Sequence, residues 1–103
     1  MAMNIKGIRV SISTNALGIS SGTGFMIPGE EFENGKAVGI NYWMPPQYRA
    51  YVKDIYLTLT DDSMSIESPY KNQTVTLKPN CRINIDGVGL SYATCDITIW
   101  PEF

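Results

Sequence analysis

The sequence predicts an all-β fold: a small antiparallel sandwich of about seven or eight strands. Three observations support this prediction. Apolar and polar residues alternate over short runs, which is the period of a half-buried strand. Ile, Val, Thr, Tyr and Gly are common, while the helix-favouring residues Ala and Leu are scarce. Turn-forming residues recur at a spacing of roughly 8–12 residues, which is typical of sandwiches and also of a small open barrel, the alternative.

Alternation indicates where the individual strands lie. Near the N-terminus, Ile8, Val10 and Ile12 share one face. The clearest strand is expected from Arg49 to Thr60, followed by a turn at 61–63. The residues on one face of this strand are Ile55, Leu57 and Leu59. The next strand carries Met64 and Ile66, and the one after it carries Val75 and Leu77.

Two hairpins are predicted from glycine-containing turns. Asn34-Gly35 is expected to join strands at 24–28 and 36–43, because Asn-Gly suits a two-residue hairpin turn. The segment 87–89 is expected to join strands at 81–86 and 90–100. In that register Cys81 lies opposite Cys95, so a Cys81–Cys95 disulfide is one prediction and two buried thiols the other. The glycine-rich segment 18–24 lacks the ending of a phosphate-binding loop and is interpreted as a flexible connection.

Composition favours one folded domain spanning 1–103. Apolar residues make up 44% of the 103 residues and charged ones 17%, which argues against intrinsic disorder. The formal net charge of −2 provides no basic surplus for duplex nucleic acid. No apolar run approaches the roughly 18 residues of a membrane span, and the N-terminus lacks a signal-peptide pattern. The expected location is the cytoplasm.

The residues that usually perform catalysis are poorly represented. The chain has no His, which removes the commonest general base and metal ligand. Two Cys cannot build a Cys-only zinc site, and Asp61, Asp62 and Asp86 fall in predicted turns, where Asp is common for backbone reasons. We therefore expect no enzymatic activity, no cofactor and no metal.

The aromatic segment 41–51 is the leading candidate for a binding surface. Two prolines stiffen it, and its composition resembles that of interface hot spots. The alternative is that its aromatic rings cap one end of the core. The candidate binding residues in this segment are Tyr42, Trp43, Met44, Tyr48, Arg49 and Tyr51.

A second candidate is the acidic run with Glu30, Glu31 and Glu33. One interpretation is that these glutamates bind a basic groove on a partner. The alternative is that they form a solvated loop that discourages aggregation.

These observations predict a non-catalytic protein-interaction module: a small accessory or inhibitory protein, of the kind a bacterial virus makes, that binds and blocks a partner. Two alternatives stay open. The aromatic segment could stack on single-stranded nucleic acid or a sugar, or the chain could be a self-associating subunit of a larger assembly.

Overall fold

The computed structural model describes residues 4–50, 52–90 and 92–103, which form two four-stranded antiparallel sheets. The first sheet, in the order β2-β1-β8-β7, contains β1 (Gly7–Ala16), β2 (Ile19–Pro28), β7 (Ile83–Leu90) and β8 (Ala93–Glu102). The second, in chain order, contains β3 (Ala37–Gly39), β4 (Tyr56–Leu59), β5 (Ser63–Glu67) and β6 (Gln73–Thr76). Short helical segments at Gly29–Glu31, Ile40–Trp43 and Pro46–Arg49 (α1) lie in the connections. The predicted all-β sandwich is confirmed.

The alternating apolar residues form one core between the sheets. In β1, Ile8, Val10 and Ile12 are at most 1% exposed, and Val10 lies between Phe25 and Ile99 in the register of neighbouring strands. The other strand residues in this apolar cluster are Ile27, Ile83, Ile85, Val88, Cys95, Ile97 and Ile99, and Leu57, Leu59, Met64 and Ile66. Every inward residue predicted for the strands at 8–12 and 55–66 is therefore buried.

The two sheets differ in length. β1, β2 and β8 have 10 residues each, so they extend about 33 Å at roughly 3.3 Å per residue. The strands of the second sheet have 3 to 5 residues and extend at most about 17 Å. The second sheet therefore cannot cover the whole inner face of the first. Exposure along the inward positions of β2 rises from 0% at Ile27 to 72% at Ile19, so the uncovered end is the one with the β1–β2 turn.

The strand predicted at 49–60 is shorter than expected. β4 begins at Tyr56, and the segment before it contains α1, whose first residue is Pro46. Proline suits this position because its fixed φ matches the helix and its missing N–H would be unpaired there anyway.

The Asn34-Gly35 turn does not form the predicted hairpin. β2 pairs with β1 across the two-residue turn Leu17-Gly18, whereas β3 pairs with β4 in the other sheet. Asn34-Gly35 instead lies in the connection between sheets, where the Gly35 N–H donates to the Leu59 carbonyl at 2.7 Å. The glycine-rich segment predicted to be a connection is the first half of β2. Local sequence identifies a turn here, but the choice of strand partner depends on tertiary packing.

The predicted register of the last hairpin is wrong. Gly87 and Gly89 lie within β7, whose pairing with β8 is irregular between Ile85 and Val88. Gly87 has a φ of 69° and its N–H donates to Asp96 Oδ1 at 2.9 Å. Asp-Gly with positive φ is compatible with a bulge as well as a turn, and here it forms the bulge.

This register separates the two cysteines. Cys95 lies opposite Val88, and both Cys81 and Cys95 are free, buried thiols. The disulfide alternative is therefore wrong, and the thiols act as small apolar groups. Burial, with a smaller contribution from the Asp96 charge, raises the pKa of the Cys95 thiol and keeps it protonated at neutral pH.

Candidate functional site

The structure divides the predicted aromatic segment between core and surface. Met44 and Tyr48 are buried, at 1% and 7% exposure, and belong to the main apolar cluster. They are thus mainly core residues, because α1 turns Tyr48 inward against the sandwich. Tyr42 and Trp43 are exposed, at 63% and 38%, and stay candidates for binding. Tyr51 lies outside the described residues.

Arg49 holds this segment in shape. Its Nη2 donates to the carbonyl of Tyr42 at 3.3 Å and to that of Met44 at 3.0 Å. These two bonds join the end of α1 to the preceding turn. The guanidinium is partly exposed, so Arg49 stabilises the segment and still borders the surface.

The acidic run surrounds a buried anchor. Glu30, Glu31 and Glu33 are exposed, while Phe32 between them is 0% exposed. Within the described residues the one ion pair is Arg9–Glu102. The three glutamates are therefore solvated charges on a segment that Phe32 fixes to the core.

A surface that the sequence analysis missed lies at the uncovered end of the first sheet. Leu17 and Ile19 are 80% and 72% exposed, and Tyr92 in the neighbouring β7–β8 connection is 57% exposed. The two hairpin ends are joined by a bond from the Leu17 N–H to the Tyr92 carbonyl at 3.1 Å. We call Leu17, Ile19 and Tyr92 the tip patch.

The turn in the tip patch has an unfavourable backbone. Leu17 and Gly18 have φ values of 54° and 79°, the geometry of a two-residue hairpin turn that favours Asn-Gly. For a bulky residue such as Leu, this left-handed conformation costs about 1–2 kcal/mol. Because the Leu17 side chain is exposed to solvent, burial within the fold does not offset the cost of this backbone conformation.

Leu17 and Ile19 of the tip patch line a groove. It has a volume of about 510 Å³ and separates the end of the β1–β2 hairpin from α1. Its floor includes Thr14, whose hydroxyl is 2.7 Å from the Ser21 hydroxyl. The wall from α1 is formed by Gln47 and Tyr48. One of the candidate binding residues, Tyr48, therefore borders this groove, although its side chain is largely buried.

The edge strand β2 continues from the tip patch. Its ten residues contain no charge, and only β1 pairs with it. The edge strands β3 and β6 have three and four residues. The edge of β7 is interrupted by its bulge, and Lys71 Nζ donates to the Asn84 carbonyl at 2.7 Å. Short length, bulges and charge are the usual protections of sheet edges, so β2 is the unprotected edge in the described structure.

No group of three or more His, Cys, Asp or Glu side chains in ranges 4–50, 52–90 and 92–103 is arranged to hold a metal ion. Within these ranges, no helix has the length and apolar character needed to cross a membrane.

The sequence contained a signal for the tip patch. Leu17 immediately precedes Gly18 and follows the alternating run at 8–12, at a position where hairpin turns favour Asn or Asp. An apolar residue in a turn is unusual, but without the register it could equally belong to a strand. Ile19 and Tyr92 carried no comparable signal, because their exposure depends on the unequal lengths of the two sheets.

Comparison of the chain with protein-family models, curated proteins and solved structures finds no match.

Proposed function

We propose that the protein is a non-catalytic interaction module that binds a partner protein through β2 and the tip patch. The observation that carries this proposal is the ten-residue, charge-free edge strand that begins at exposed Ile19, beside exposed Leu17 in the preceding turn. A small domain of this kind would act as an accessory or inhibitory protein, by occupying a surface that its partner needs.

The backbone of β2 suits the addition of a strand. Ala16 and Ile19 close a two-residue hairpin, so they exchange ladder hydrogen bonds with each other. Because ladder bonds alternate, the residues whose N–H and C=O groups face the free edge are Ser20, Gly22, Gly24 and Met26. An extended segment of a partner would pair with these groups, and main-chain bonds supply much of the affinity in this binding mode.

The tip patch and its groove supply apolar contact at the end of this strand. Leu17 and Ile19 are exposed and line the groove of about 510 Å³. Large apolar side chains that enter a pocket are the usual centre of a binding interface. The partner is therefore expected to offer an apolar pocket beside an accessible strand.

Substitutions at two neighbouring positions test this proposal. Ser20→Pro removes an outward N–H without removing a bond to β1, whereas Ser20→Ala keeps that N–H. Ile19→Lys places a charge in the tip patch, and Thr94→Lys places the same charge on the exposed outer face of β8. The wild type and the four variants are compared in pull-downs from host lysate with nuclease, followed by titration of the recovered partner.

We expect one stoichiometric protein to be retained by wild type, Ser20→Ala and Thr94→Lys. Ser20→Pro and Ile19→Lys should each weaken its binding by at least about tenfold, with unchanged circular dichroism. Equal recovery by all five proteins would contradict the proposal, as would a partner that nuclease removes. A dimer of this chain that Ser20→Pro dissociates would assign the edge to a second copy instead, and would contradict a separate partner.

A further inference from the structure

A second surface lies on the outer face of the second sheet, where two exposed tyrosines are neighbours. Gly39 in β3 is the register partner of Tyr56 in β4. A Cβ on Gly39 would lie 2.7 Å from Cδ2 of Tyr42, so the Tyr42 ring occupies the space above Gly39. Paired positions in adjacent antiparallel strands have side chains about 4.5–5.5 Å apart at Cβ. The Tyr42 and Tyr56 rings therefore lie side by side, at 63% and 37% exposure.

Two carboxylates lie next to these rings. Glu67 in β5 is the register partner of Tyr56 on the side opposite Gly39. Asp54 precedes Tyr56 by two residues and accepts a hydrogen bond from Asn41 Nδ2 at 3.2 Å. Within the described residues neither carboxylate forms an ion pair. Across the sheet, the order is therefore the Tyr42 ring, the Tyr56 ring and the Glu67 carboxylate. The Asp54 carboxylate lies beside Tyr56.

A depression lies over Tyr56 and the two carboxylates. It has a volume of about 330 Å³ and is lined by Asp54, Tyr56, Glu67 and the loop that contains Ser68, Pro69 and Asn72. Glu67 and Asn72 also line an adjoining depression of about 380 Å³. Each is at the lower end of the roughly 300–1,000 Å³ typical of small-molecule sites.

The electrostatics of this surface favour a cation. The Asp54 charge is the main cause of a raised pKa at Tyr56, followed by desolvation and by Tyr42, so the potential at the ring is negative and its hydroxyl stays protonated. Aromatic faces attract cations through their quadrupole, and a nearby carboxylate adds a Coulombic attraction. The same potential repels phosphate groups and argues against nucleic acid at this surface.

We infer that the surface formed by Tyr42, Tyr56, Asp54 and Glu67 binds a small organic cation with an alkylated ammonium head. The two rings contact the alkyl groups, and the two carboxylates balance the charge. A bare ammonium is more strongly hydrated than an alkylated one and gains less from contact with rings. This inference rests on a different surface from the proposed protein interface and does not depend on it.

Choline provides a direct test because it has a neutral isostere. The wild-type protein, labelled with ¹⁵N, is titrated with choline chloride, with 3,3-dimethyl-1-butanol and with sodium chloride as the salt control. Choline should cause saturable amide shifts centred on Gly39, Tyr56 and Glu67. The isostere has the same shape without the charge and should cause none.

Paired variants test the individual groups. Tyr56→Leu and Glu67→Gln should each weaken choline binding by about two- to fivefold, whereas Tyr56→Phe keeps the ring and should bind as wild type does. Ile19→Lys should leave choline binding unchanged, which separates this site from the partner interface. The inference is overturned by the absence of saturable shifts well above millimolar choline, by equal shifts with the isostere, or by undiminished binding in Tyr56→Leu. It is also overturned if the surface binds neutral oligosaccharides in preference to choline.

Discussion

At the scale of single residues, Leu17 combines two unfavourable properties. Its φ of 54° is in the left-handed region, and its side chain is 80% exposed. Asn and Asp adopt this conformation more easily because their short polar side chains bond locally. Strain of this kind is common at binding surfaces, where contacts with a partner compensate for it. Under our proposal, Leu17 lowers stability and contributes to affinity.

Replacement of Leu17 separates these two effects. We expect Leu17→Asn to increase the free energy of unfolding by about 1 kcal/mol, which raises Tm by roughly 4–8 °C in a domain of this size. The same variant should bind the partner more weakly. Thermal unfolding followed by circular dichroism measures the first effect, and titration with the partner the second.

Leu17→Ala is the control that separates the effect on stability from the effect on binding. It removes the apolar side chain but keeps a Cβ at positive φ, so binding should weaken without the gain in Tm. A Leu17→Asn protein that is no more stable than wild type would show that the turn is not strained.

At the scale of elements, side chains alternate between anchoring the chain and facing solvent. The segment with Glu30, Glu31 and Glu33 shows this in a connection between the sheets. Phe32 is 0% exposed and belongs to the main cluster, while its two neighbours in the chain are exposed. The acidic surface therefore owes its position to one aromatic side chain.

Adjacent substitutions in this segment should have very different effects on stability. Phe32→Ala removes a buried ring and should lower the free energy of unfolding by about 3–5 kcal/mol. Glu31→Lys reverses a solvated charge and should change it by no more than about 0.5 kcal/mol. Urea denaturation of both variants provides the measurement. Similar losses in the two variants would contradict the assignment of Phe32 as the anchor.

At the scale of the whole molecule, the two sheets share one core. Buried residues from both sheets and from the connections belong to a single apolar cluster. Neither sheet alone covers its own apolar face, so neither has a stable state without the other. Small domains of this kind usually unfold in one cooperative step.

Two tryptophans can report on this cooperativity from different places. Trp43 lies in the connection between β3 and β4, and Trp100 lies in β8 of the first sheet. Single-tryptophan variants, Trp43→Phe and Trp100→Phe, should give fluorescence transitions in urea that each coincide with that variant's own circular dichroism transition. A clear separation of the fluorescence and circular dichroism midpoints in either variant would show that the sheets unfold separately.

Much of the fold could be predicted because strand faces are a local property. The inward positions at Ile8–Ile12 and at Ile55–Leu59 follow from a period of two, which any antiparallel partner preserves. The aromatic segment was harder to interpret, because Met44 and Tyr48 become core residues only when α1 forms and packs against the sandwich. The tip patch was missed because Ile19 falls in the glycine-rich segment 18–24, which was interpreted as a connection although β2 pairs with β1 along its whole length.

By itself, the sequence determined the fold class, the faces of most strands and the absence of histidine chemistry. These depend on residue type and on spacing over a few positions. Only the tertiary structure decided which strands pair, where β7 bulges, that the cysteines stay apart and which edge remains open. The physical reason is that Gly, Asn and Asp permit turns, bulges and edge strands alike. The choice among them is made by the packing of distant apolar faces into one core.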